Sequence, residues 1–110
     1  RDQEAVLEVG ICEVSVPPDH RVGRVESPSI LALEFSEDPQ KHVVLQGITC
    51  LEEDVFLARL SKSIRESLSQ QAFVFIHGYN VSFDDAVKRT AQIAYDLQFD
   101  GAPICYWRSF

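Results

Sequence analysis

The 110-residue sequence contains no methionine, not even at position 1. A processed chain or an excised fragment is therefore the expectation. The cysteines, Cys12, Cys50 and Cys105, are odd in number and form no CxxC pair. That argues against a disulfide framework and suits buried thiols in a reducing, cytoplasmic setting. No apolar run approaches the roughly 18 residues that a membrane helix needs. The opening RDQEAVLEVG lacks the basic-then-apolar order of a signal peptide. Positive charge is scarce as well: 10 Lys and Arg against 17 Asp and Glu leave a formal net charge of -7. The basic residues are scattered, so nucleic acid is not an expected partner, because phosphate binding rests on clustered Lys and Arg. There is no P-loop, no GxGxxG and no HExxH, so neither a nucleotide, nor a metal, nor any other cofactor is expected.

What remains has ordinary globular composition, 45% hydrophobic and 25% charged. Residues 5–17, AVLEVGICEVSVP, alternate loosely and stop at two prolines, as a strand does. Residues 17–29 read as a loop. ILALEF (30–35) and HVVLQGI (42–48) flank a short polar turn and predict a hairpin. Thr49 and Glu52 have capping-box spacing. Behind them Phe56, Leu60, Ile64 and Leu68 recur every four residues, which predicts an amphipathic helix over 51–69.

AFVFI (72–76) shows no alternation, the mark of a strand buried on both faces of a parallel sheet. A second capping spacing, Ser82 with Asp85, opens a helix whose apolar face carries Phe83, Ala86, Val87, Thr90, Ala94 and Leu97. Asp100, Gly101 and Pro103 are expected to stop it, and PICYW (103–107) to form a strand. Residues 72–107 thus form a strand–helix–strand unit, and the fold class is α/β: a mixed sheet with a parallel part and helices packed on it.

Between strand and helix stands His77-Gly78-Tyr79-Asn80. Ligands collect beyond the carboxyl ends of parallel strands, and a helix N-terminus favours a negative oxygen. Gly78 is expected to hold a backbone conformation closed to other residues, with the Tyr79 N–H pointing into a crevice. Two readings stay open on the residues alone: a tight connection, or an anion-stabilising corner. The other candidates have simpler readings. His20 sits in a polar loop and reads as solvated, Cys105 as a small apolar strand residue, and Asp84 and Asp85 as charges suited to a helix N-terminus.

Residues 73–107, FVFIHGYNVSFDDAVKRTAQIAYDLQFDGAPICYW, resemble the strand-3 to strand-4 segment of the α/β-hydrolase superfamily. Within it they are similar to a bacterial family of function-unassigned hydrolases marked by His-Gly-Tyr-Asn and an AQ-A-DL-F-G-P helix end. VSVPPDHRVGRVESP and HVVLQGI resemble that family's lead-in. The resemblance implies that the Tyr79 backbone N–H is an oxyanion-hole donor, that His77 and Gly78 shape the loop, and that Asn80 braces it. His77 would not be the triad histidine. The chain departs from the family pattern at Tyr106-Trp107-Arg108-Ser109, where Ser-Trp-Pro-Ser is usual. It also contains no G-x-S-x-G elbow.

The expectation is therefore a partial α/β-hydrolase-like domain over 1–110: hairpin-type strands within 5–48, a helix, then strand–helix–strand. It would be the N-terminal portion of an esterase-like serine hydrolase that carries the oxyanion loop and not the nucleophile. A small-molecule ester would be the substrate in full-length form. The alternative is a non-catalytic α/β interaction module. Without the nucleophile-bearing strand, residues 72–76 would keep an open edge for self-association or partner pairing.

Overall fold

The computed structural model describes residues 7–108. Among these residues four strands form two separate pairs. Val9–Ser15 (β1) runs antiparallel to Val44–Leu51 (β2), and Ala72–Ile76 (β3) runs parallel to Ala102–Tyr106 (β4). Helix Glu53–Glu66 (α1) precedes β3, and Phe83–Asp96 (α2) is the crossover between β3 and β4. This is the mixed α/β architecture expected. No helix among the described residues is long and apolar enough to cross a membrane.

The first pairing differs from expectation. β1 pairs with β2 from Val9 opposite Leu51 to Ser15 opposite Val44, with a register shift between Glu13 and Val14. Residues 30–35 form no strand. Ile30–Ala32 is a 3₁₀ turn closed by Leu33 in the left-handed region at φ 58°, and Leu31 is 98% exposed. β1 has taken the place opposite β2, and local bonds hold the turn instead. Glu34 N–H donates to the Ser29 carbonyl at 2.9 Å, and the Glu34 carboxylate accepts from Ser29 N–H at 3.1 Å and from His42 Nε2 at 2.9 Å. His42 itself is buried just ahead of β2.

Thr49 is no cap, because β2 runs past it to Leu51; the N-cap is Glu52, whose side chain makes no capping bond. Glu53 and Asp54 in the first turn still favour the positive end of the helix. α1 stops at Glu66, short of Leu68, which is exposed. Ser67 Oγ donates to the Ile64 carbonyl at 2.7 Å, and Asp100 Oδ2 accepts from Leu68 N–H at 2.6 Å. The apolar stripe Phe56, Leu60 and Ile64 is half-buried.

β3 does not bury both faces. Phe73 and Phe75 are half-buried, whereas Val74 is 54% and Ile76 70% exposed. A continuous apolar run needs cover on two sides, and among the described residues the second side has none. α2 follows expectation at its start: Ser82 Oγ accepts from Asp85 N–H at 3.1 Å. Ala86, Val87 and Thr90 are buried along it, with Val43, Val44 and Ala102 completing the small core. Its end is set by Gln98 rather than glycine. Gln98 takes φ 50°, its N–H reaches the Tyr95 carbonyl at 3.1 Å, and Phe99 N–H reaches Ala94 at 2.9 Å, a Schellman closure. Gly101 serves a different need: a Cβ there would overlap the Gln71 carbonyl oxygen and the Phe99 ring.

Candidate active-site loop

β3 ends at Ile76, and the next side chain, His77, is buried. Its Nε2 lies 2.9 Å from the backbone N–H of Arg108, which can only donate. Nε2 therefore accepts, and the ring proton belongs on Nδ1, 2.6 Å from the Gly78 carbonyl oxygen. The next residue after β4, Trp107, donates from its indole Nε1 to the Val81 carbonyl at 2.8 Å. Its ring packs edge-on against Phe83, centroids 5.7 Å apart, and lies 6.1 Å from His77.

The positive-φ residue of this loop is Asn80, at φ 60°; Gly78 is not in the left-handed region. A Cβ on Gly78 would meet nothing within 4 Å. The expected conformational demand on Gly78 is thus absent, and the sharp turn is made two residues later. Asn takes that conformation more readily than most residues because its short amide bonds locally.

A cleft of about 390 Å³ opens beyond β3, lined by Val25, Ser27, Phe75, His77, Gly78 and Val81 with Asp85, Ala86, Lys88 and Arg89 of α2. Its lining includes His77 and Gly78 but not Tyr79 or Asn80, and Tyr79 is 81% exposed. The structure therefore brings His77 and Gly78 to the cleft and leaves the other two expected site residues outside its lining.

Lys88 lies buried between two carboxylates, Glu37 at 2.6 Å and Asp84 at 3.0 Å. Burial would lower its pKa, but the bonds to Glu37 and Asp84 outweigh it and hold the ammonium above its ordinary value. Arg89 donates to the Gly23 carbonyl at 3.0 Å and to Gln92. The 17–29 loop, which supplies Val25 and Ser27, is fastened to α2 a second time through His20. That ring is not solvated: its side chain is 3% exposed, with Nδ1 2.7 Å from Glu26 and Nε2 2.7 Å from Asp96. The reason is simple: the polar loop folds back onto α2, whose Asp96 gives the imidazole a buried partner.

A family model described as an alpha/beta hydrolase of unknown function (DUF900) matches residues 52–109. The chain belongs to that family. The match covers α1, β3, the His77–Gly78 corner, α2 and β4 of this hydrolase-family member, and leaves β1 and β2 outside. No curated protein and no solved structure matches the chain.

Among the described residues no group of three or more His, Cys, Asp or Glu could hold a metal ion. The cysteines are free, and Cys50 is exposed rather than buried. Burial, with the neighbouring thiols adding to it, pushes the Cys12 pKa up, which suits an inert residue. Asp84 and Asp85 keep their reading as first-turn charges, with Asp84 also serving Lys88. Sequence reasoning missed Trp107, Lys88 and the 25–27 wall. Only Lys88 carried a local signal, its position four residues after Asp84 on one helix face.

Proposed function

We propose that this chain carries the oxyanion corner of a serine hydrolase acting on carboxylic esters. The Tyr79 N–H is one donor, His77 and Gly78 shape the loop, and Asn80 braces it. The nucleophile lies outside these 110 residues, and the chain is the N-terminal part of the catalytic domain. No cofactor takes part. The observation that supports this reading best is the cleft itself. In a member of an alpha/beta hydrolase family, it opens at the carboxyl end of β3, between His77 and Gly78 and the flank of α2 at Asp85, Ala86, Lys88 and Arg89, with Tyr79 next in the chain to its lining rather than part of it. Backbone donors and a helix N-terminus placed at such a corner stabilise a developing oxyanion without reorganising.

The test uses the full polypeptide and a p-nitrophenyl ester. Tyr79→Pro removes the N–H and is expected to lower kcat by roughly 10²–10³-fold with KM little changed. Tyr79→Ala keeps the donor and is expected to lose far less. Equal losses in the two variants would sink the reading. The isolated 110 residues are expected to turn over no ester.

A second reading, a non-catalytic interaction module, is favoured by one observation: the exposed apolar Val74 and Ile76 on β3. A full polypeptide that neither hydrolyses esters nor reacts with a fluorophosphonate would support it.

A further inference from the structure

One peptide group joins Gly78 and Tyr79. It carries both the carbonyl that His77 holds and the N–H assigned above as a donor. The group is planar, and no cis peptide bond occurs among the described residues, so its C=O and N–H point in opposite directions. Fixing the carbonyl fixes the aim of the N–H. His77 Nδ1 holds that carbonyl at 2.6 Å, and Arg108 N–H holds the other side of the ring at 2.9 Å. With the proton on Nδ1, a neutral imidazole has one donor and one acceptor, and both are used here. Moving the proton to Nε2 would set N–H against the Arg108 N–H, and flipping the ring would put C–H groups at both contacts. At the far end of the loop, Trp107 Nε1 donates to the Val81 carbonyl at 2.8 Å. Both ends of the loop are thus tied to two consecutive residues leaving β4.

We propose that the exit of β4 is a positioning device for this loop. The Arg108 N–H sets the His77 ring, the ring sets the Gly78–Tyr79 peptide, and the Trp107 indole keeps Val81 from swinging away. Neither Trp107 nor Arg108 touches substrate; they act through the loop. The catalytic consequence rests on the oxyanion reading, whereas the positioning itself does not. A donor held from outside its own loop needs no rearrangement when charge develops, which is where such donors gain their strength.

Two changes in the full polypeptide each remove one donor, although Arg108→Pro, which installs the residue usual at this position in the resembled family, also fixes φ there and restricts Trp107. Arg108→Pro deletes the N–H, with Arg108→Ala as the reference that keeps it. Replacing Trp107 by β-(3-benzothienyl)alanine keeps the shape and ring packing and deletes the indole N–H. Hydrogen exchange is followed over residues 77–82 and, separately, over α2. We expect loop exchange to rise about tenfold in Arg108→Pro relative to Arg108→Ala and in the benzothienyl variant, as loss of one net hydrogen bond implies. Exchange in α2 should stay at the parent level. Ester kcat should fall by a similar factor with KM unchanged. Loop exchange equal in the proline and alanine variants, and unchanged in the benzothienyl variant, would overturn the proposal. If Arg108→Pro also loosens α2, the benzothienyl variant alone decides. Raised loop exchange with kcat intact would support the positioning and overturn the oxyanion reading.

Discussion

His20 Nε2 lies 2.7 Å from Asp96 Oδ1, joining residues 76 positions apart. The opposite nitrogen meets Glu26 at 2.7 Å, and Asp96 also accepts from Gly23 N–H at 2.7 Å. Burial lowers the His20 pKa, but the two carboxylate bonds outweigh it and raise it above its ordinary 6.5. Glu26 and Asp96 are held below theirs: for Glu26 the Arg21 N–H and His20 overcome burial, and for Asp96 the Gly23 N–H leads.

The sign of the pH dependence follows. A raised histidine contributes stability fully below its unfolded value and loses it as pH climbs through the folded one; the lowered carboxylates lose theirs as pH falls through their own range. The clamp is therefore strongest in weakly acid solution. Thermal unfolding is expected to show a higher Tm at about pH 6 than at about pH 8.5, with that gap shrinking in His20→Gln. A gap of the same size in His20→Gln would contradict the clamp.

Two glycines should behave oppositely. Gly101→Ala drives a Cβ into the Gln71 carbonyl and the Phe99 ring, and overpacking of this kind costs about 1–3 kcal/mol. Gly78→Ala meets open space at an ordinary φ and should change stability by no more than about 0.5 kcal/mol. Urea unfolding of both variants checks the contrast. A Gly78 penalty as large as that at Gly101 would restore the backbone demand that the sequence suggested.

Lys88→Met should leave Glu37 and Asp84 without their shared ammonium. Both partners are about half open to water, so the expected loss is about 1–2 kcal/mol rather than the larger penalty of a fully buried pair. A double-mutant cycle with Glu37→Gln measures it, and additivity of the two changes would show that the contact contributes nothing.

Among the described residues β3 pairs on one side only, with β4, and Val74 and Ile76 are exposed beside the open edge. Unpaired apolar edges template further strand pairing. The isolated chain is expected to self-associate through residues 72–76, and Phe75→Lys to reduce this, in sedimentation velocity runs across a range of concentrations. A folded chain that stays monomeric at high concentration would end this expectation.

The legible parts of the fold were those whose cause is local. Ser82 with Asp85 announced a helix start because the cap is a bond between near neighbours. The apolar recurrence through Phe56, Leu60 and Ile64 announced α1 because one helix face records what it packs against. Residues 30–35 misled for the opposite reason: their short apolar run says that they could pair, while β1 decides whether β2 is still available. His20 was illegible because its partner Asp96 is distant in sequence. At the candidate site the corner was legible from strand, break and cap. The Trp107 and Arg108 contacts were not, since no pattern within residues 77–82 refers to the exit of β4.

The long reach of the His20 clamp bears on synthesis as well. The 17–29 segment leaves the ribosome first, yet its anchor on α2 is made 76 residues later. At typical elongation rates that interval is roughly 4–15 s. During it the wall formed by Val25 and Ser27 has nothing to dock against, and Arg21, Val22, Gly23 and Arg24, all exposed even in the finished fold, are open to any trypsin-like protease. The 17–29 wall of the cleft therefore cannot be anchored before Asp96 of α2 has been made. Nicking after Arg21 or Arg24 that is faster in the nascent chain than in the released protein would time its closure.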